Sequence, residues 1–190
     1  MVTKTSISAP VSRSSASPRA ALSSASRLFK AVSAAFRAAG ERSDLAAFLE
    51  TLAPNVKLRS PISFKARFEG FDDVAALMRE VFDVLEDIEY FEDVGTATTR
   101  ALFYRARIER QAVEGAILAR LDDDASVVEM TMLFRPLPGL TALTARLTPR
   151  LAARHGRARS LLVAAMTRPV AALTRAGDAL GVRLTQPPRR

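Results

Sequence analysis

Glu114, Glu129, Ser60, Tyr90, Tyr104 and His155 are the side chains whose chemistry and placement could serve a small-molecule site. A carboxylate or imidazole moves protons when burial tunes its pKa, and a buried phenol or hydroxyl can donate one oriented hydrogen bond. His155 is the single histidine, so a histidine-based triad has one candidate base, and a metal would have to rely on carboxylates. There is no cysteine, which excludes a disulfide framework, thiolate zinc sites and cysteine nucleophiles. The acidic run Asp122 to Asp124 lacks the spaced oxygen ligands and the glycine of a calcium loop, and reads as a solvated hairpin turn. Neither a phosphate-binding glycine loop nor a nucleophile elbow occurs. The sequence therefore calls for no metal and no cofactor.

The elements that must position these groups follow from periodicity. Leu28, Phe29, Val32, Ala35 and Phe36 recur at helical spacing and predict a helix from about Ser26 to Ala39, stopped by Gly40. A short helix with Leu45, Phe48, Leu49 and Leu52 on one face follows, ending before Pro54. Val56 to Ser60 alternates as a half-buried strand, and Phe64, Ala66 and Phe68 suggest a second short one. Val74, Leu77, Met78, Val81, Phe82 and Leu85 then mark an amphipathic helix capped by Asp72 or Asp73. The period changes to two for strands from Ile88 to Gly95, Thr98 to Ile108, Val113 to Leu121 and Val127 to Arg135. Such an order predicts an α+β fold with helices on one face of a curved antiparallel sheet.

If the more apolar face of each strand points inward, a dry pocket receives Ser60, Phe64, Tyr90, Tyr104, Met130, Met132 and Phe134, with Leu58, Phe68, Leu102, Ile117 and Val128. Glu114 and Glu129 then face outward with Arg105 and Arg107. They stay the candidate catalytic acids on the ground that a bulge would flip their register.

From about Leu28 to Pro136 the local wording resembles the SnoaL-like branch of the nuclear transport factor 2-like superfamily. The matching pieces are Leu49-x-x-Leu52-Ala53-Pro54-Asn55-Val56, Arg59-Ser60-Pro61, Phe68-Glu69-Gly70, Glu114-Gly115, Leu121 to Asp124, and Val127-x-Glu129, in that order. The resemblance implies a cone-shaped half-barrel that admits a small hydrophobic ligand, often in a dimer. It also implies where bases would lie. Ketosteroid isomerases carry an aspartate base just before a proline, a slot held here by Ser60, which has no adjacent base. The His–Asp pairing of dehydratases and cyclases would have to use His155, which lies beyond the strands. An Asp–Arg–Asp arrangement of the epoxide hydrolase kind is not evident. Because fold alone does not choose a function, the sequence leaves three open: a small apolar ligand-binding domain, an isomerase, cyclase or hydrolase using Glu114 or Glu129, and an interaction or membrane-surface protein.

Charge divides the chain in three. Residues 1–40 hold six Lys or Arg and no acid, residues 41–139 twelve against nineteen acids, and residues 140–190 ten Arg against one Asp. The expected organisation is a disordered Ser/Ala/Arg-rich tail over 1–24, the α+β domain over 25–139, and an Arg-rich helical extension over 140–190. Pro149 and Pro169 are expected to break that extension into short pieces. Neither a secretory h-region nor a run of about 20 apolar residues is present, so a cytoplasmic protein is expected. Expected partners are a small hydrophobic molecule and a second copy. Membrane contact would use the C-terminal arginines. Nucleic acid is disfavoured, because no aromatics interleave with the basic residues.

Overall fold

The computed structural model describes residues 18–185, with side chains described from Lys30 onward. The helix α1 (Pro18–Glu41) is followed by α2 (Leu45–Leu49), β1 (Leu52–Arg59), β2 (Arg67–Glu69) and α3 (Phe71–Phe82). The long strands β3 (Glu86–Gly95), β4 (Thr99–Ile108), β5 (Gln111–Leu121) and β6 (Val127–Arg135) come next. Two helices, α4 (Leu137–Ala153) and α5 (Arg157–Thr185), end the described chain. The expected tail over 1–24 lies outside the described residues up to residue 17, and residues 18–24 open α1.

The strands form one open six-stranded sheet in the order β2-β1-β6-β5-β4-β3. It is mixed: four pairings are antiparallel, and β1 runs parallel to β6. Hairpins account for β3 to β6, but β1 reaches β6 across the whole domain, so no hairpin sets its direction. Pro54 falls inside β1, where the pairing with β6 shifts between Leu52 and Lys57. A proline is tolerated at such an irregularity because no ladder donor is needed there.

On β4 the buried Leu102, Tyr104, Ala106 and Ile108 alternate with outward Phe103, Arg105 and Arg107, as the pleat requires. The concave face is covered by α3 through Val74, Leu77, Met78 and Val81. Phe36 of α1, Phe48 of α2 and Phe82 of α3 pack in succession, the first pair tilted with centroids 4.5 Å apart and the second edge to face at 5.3 Å. The N-cap of α3 is Gly70 rather than an aspartate. Asp72 and Asp73 sit in the first turn, where the helix dipole favours negative charge.

The prolines of the extension do not divide it. Pro149 lies inside α4 and Pro169 inside α5, and both helices continue. A proline removes one backbone bond, and lateral packing can outweigh that loss. Here α4 and α5 pack along each other as a hairpin whose turn holds His155. Among the described residues no helix is long and apolar enough to cross a membrane.

Candidate functional site

The concave interior is closed by the chain itself. After β6 the chain folds back as α4, and Leu143 and Leu147 enter the space between α3 and the sheet. Gly139 permits this approach: a Cβ there would stand 2.5 Å from Val113 Cγ1. What remains is a void of about 20 Å³, lined by Leu58, Ser60, Pro61, Ile62, Leu77, Val81, Leu85, Tyr104, Met132, Phe134, Leu143 and Leu147. That is room for about one water. The side-chain polar atoms of this lining are the hydroxyls of Ser60 and Tyr104.

Tyr104 is 2% exposed, and its hydroxyl is buried without a hydrogen-bond partner among the described residues. Its ring lies over Gly115 of β5, the residue paired with it across the ladder. Burial pushes the phenol above the ordinary tyrosine range. Tyr90 packs against Tyr104 with centroids 5.6 Å apart. Burial is again the main cause of its upward shift, with Tyr104 and the Glu41 carboxylate adding and Arg37 opposing. Both phenols thus stay protonated near neutral pH and act as hydrogen-bond donors, not as bases.

Five of the sequence-expected pocket residues meet at the void: Leu58, Ser60, Tyr104, Met132 and Phe134. Tyr90 stands behind Tyr104, and Met130 is buried in the surrounding core. Phe64 is fully exposed and stands apart from the void. Its segment is not strand, because the Ser60 and Ser63 hydroxyls accept from the Ile62 and Lys65 amides and turn the chain locally. Val128 is only partly buried; the pairing shifts at Arg120/Leu121, and Val127 takes the inner place.

Both candidate acids face the other side of the sheet. Glu114 accepts from Arg105 (3.3 Å) and from Arg135, and these hydrogen bonds hold its carboxyl below the usual glutamate range. Glu129 accepts from Arg59 at 2.5 Å, with Arg120 3.9 Å away. Neither lines the void. His155 is exposed in the α4–α5 turn. Asp122 Oδ1 accepts the Asp124 and Ser126 amides, so it shapes the β5–β6 turn. Among the described residues no three His, Asp or Glu converge as a metal would require.

Sequence reasoning missed one inward polar cluster. Asp93 of β3 accepts from Arg100 Nε (2.8 Å) on β4 and from the Ser33 hydroxyl (2.7 Å) on α1, with Arg37 Nε 3.7 Å away. Arg100 shares its face with Leu102, and Asp93 is paired with Leu102 across the ladder. Two opposite charges at inward parity on adjacent strands were the available signal. The cluster does not line the void; it pins α1 across the sheet.

The outer, convex face has its own order. Two central rows carry Val94, Ala101, Leu118 and Thr131, and then Phe91, Phe103, Ala116 and Leu133, with Phe91 and Phe103 stacked at 6.3 Å. Charged rows bracket them: Arg105, Glu114 and Arg135 on one side, Arg120, Glu129 and Arg59 on the other. A cleft of about 740 Å³ lies where this face meets the Ser60–Glu69 segment.

No protein-family model matches the chain, and no curated protein matches it in sequence. Solved structures do. A steroid delta-isomerase from Pseudomonas aeruginosa is 27% identical over 66% of this chain and 93% of its own, with a TM-score of 0.61. An uncharacterized bacterial protein with a cystatin-like fold from Silicibacter pomeroyi is 22% identical over 70% of this chain and 91% of its own, also at 0.61. A nuclear transport factor 2-like protein of unknown function from Mesorhizobium loti is 17% identical over 58% of this chain and 93% of its own, at 0.53.

Proposed function

Since this chain has the nuclear transport factor 2-like fold, we propose that its cone binds one small apolar molecule carrying an oxygen acceptor, with α4 as a displaceable plug. The observation that carries this reading is Tyr104, which lines a largely apolar void and whose buried hydroxyl has no acceptor among the described residues. An unpaired buried hydroxyl costs about 1–3 kcal/mol, which a ligand oxygen would recover. Leu143 and Leu147 occupy the space its apolar body would take, so entry requires α4 to swing outward. The reading is binding rather than proton transfer. The void's lining contributes two hydroxyls and no acid, histidine or lysine, while Glu114 and Glu129 lie on the opposite face, each flanked by two arginines.

The second copy belongs on the convex face, within the same cytoplasmic reading. Apolar rows bracketed by charged rows of both signs suit an isologous contact, because a two-fold copy sets apolar on apolar and lets Arg and Glu pair across the rim.

Native mass spectrometry of the gently purified protein, with extraction of whatever co-purifies, tests the ligand. An apolar ketone, alcohol or ether bound one per chain supports the reading, and Tyr104→Phe should weaken it roughly tenfold. Failure of wild type and of Leu143→Ala/Leu147→Ala to hold any neutral apolar compound would overturn it. Sedimentation velocity tests the copy: Leu133→Glu should yield monomers, and an unchanged sedimentation coefficient would reject the convex interface.

A further inference from the structure

We propose that α5 is a docking helix for an anionic lipid surface. Leu162, Met166, Val170, Leu173, Leu180 and Leu184 recur at i, i+4, i+8, i+11, i+18 and i+22. They therefore share one stripe about 100° wide and about 33 Å long. Every one of them is exposed, from 53% at Val170 to 76% at Leu184. Another side of the helix is already used: Ala164 and Ala171 are buried, and the Thr174 hydroxyl meets that of Thr141 on α4 at 2.6 Å. The helix is thus held against the body with its apolar stripe turned to the outside. A contiguous exposed stripe of this length calls for a partner.

Charge identifies that partner. Residues 157–185 carry five arginines and a single acid, Asp178. Among the described residues none of these five lies within ion-pair distance of a carboxylate. On α4, by contrast, Arg146 pairs with Glu109, and Arg150 with Glu80 and Asp83. At 3.6 residues per turn Arg159 falls within the stripe and Arg183 beside its edge, while Arg168 and Arg175 lie on the far side of the helix, around the buried Ala171.

A second copy packed stripe to stripe would bring Arg159 and Arg183 of both helices into one contact, with Asp178 turned away from the stripe, a like-charge arrangement that interfaces avoid. Here α5 differs from the convex face, which carries both signs. A nucleic acid would engage the arginines and leave the leucines in water. An anionic bilayer surface satisfies both. The leucines enter the boundary between headgroups and acyl chains, and the guanidinium groups extend along it to lipid phosphates and carboxylates.

The test is co-sedimentation of the full chain with phosphatidylcholine vesicles containing roughly one-third phosphatidylserine, beside vesicles of phosphatidylcholine alone. Binding is expected to the anionic vesicles, and to fall at least about tenfold at high salt. Leu173→Glu/Leu180→Glu should reduce it at least about tenfold with an unchanged melting temperature, since both side chains are exposed. Arg159→Gln/Arg183→Gln should weaken it with the leucines intact. Absence of wild-type binding at low salt, or equal binding by the leucine variant, would overturn the proposal. So would a soluble dimer that the leucine variant dissociates, because the occupant would then be a second copy.

Discussion

Gly115→Ala probes the inner face of the sheet at its tightest point. A Cβ at this position would stand 2.3 Å from Tyr104 Cζ and 2.4 Å from its hydroxyl oxygen. Comfortable carbon–carbon contact is about 3.5–4.0 Å, so the ring would have to retreat by more than about 1 Å. It has little room to do so, because Tyr104 is 2% exposed and Tyr90 packs on it at 5.6 Å. Overpacking of this kind costs about 1–3 kcal/mol, and the absence of a yielding neighbour places it near the upper end. Replacing a strand glycine returns about 0.5–1 kcal/mol, which offsets only part. The net loss is about 2 kcal/mol, and at about 2–4 °C per kcal/mol for a chain of this size the melting temperature should fall by about 4–8 °C. Thermal melts by circular dichroism measure it. The same substitution in a Tyr104→Leu background should cost under about 1 kcal/mol, because the clashing ring atoms are gone. A fall below about 2 °C in the wild-type background would refute the packing of Tyr104 on Gly115.

Other expectations follow from the charged and phenolic groups. Asp93→Ala should destabilise by about 3–5 kcal/mol, because Arg100, whose side chain is 12% exposed, is left without its counter-charge; a melt within 2 °C of wild type would contradict the cluster's anchoring role. The two tyrosines have raised folded pKa values, so their contribution is fully present below about pH 10 and is lost as pH rises beyond the unfolded value. Tyrosinate absorbance should accordingly appear together with loss of circular dichroism, and a phenol titrating near pH 10 with the fold intact would contradict their burial. The Glu114 carboxyl is depressed, so its contribution is present above the ordinary glutamate pKa and lost as pH falls through the lower folded value. Glu114→Gln should flatten the acid limb of the stability profile and leave apolar ligand binding untouched; loss of binding would place that acid in the site.

Legibility in the sequence followed the strength of each pattern. The α3 face and the inner residues of β4 and β5 could be read directly, because long uninterrupted periodicity leaves little choice of face. Val128 was misplaced where β6 is irregular, since one extra residue inverts the apparent phase. Phe64 looked like strand because its neighbours alternate, yet serine hydroxyls on both sides compete for the backbone. Two features were out of reach of local pattern. Nothing local states that Leu143 and Leu147 fold back into the cone, nor that Pro149 and Pro169 sit inside continuous helices. Asp93 and Arg100 could have been found by taking charged residues at inward parity as a pair.

The central claim is that a neutral apolar molecule enters the cone beneath α4. The methionine methyl groups report on it directly, since Met132 lines the void, Met130 lies in the core and Met166 stands on the exposed α5 stripe. In protein carrying carbon-13 methionine methyls, titration with a neutral cyclic ketone should shift the Met132 resonance saturably, more strongly in Leu147→Ala, and leave Met166 in place. A shift confined to Met166, or no shift in either protein, would contradict the account.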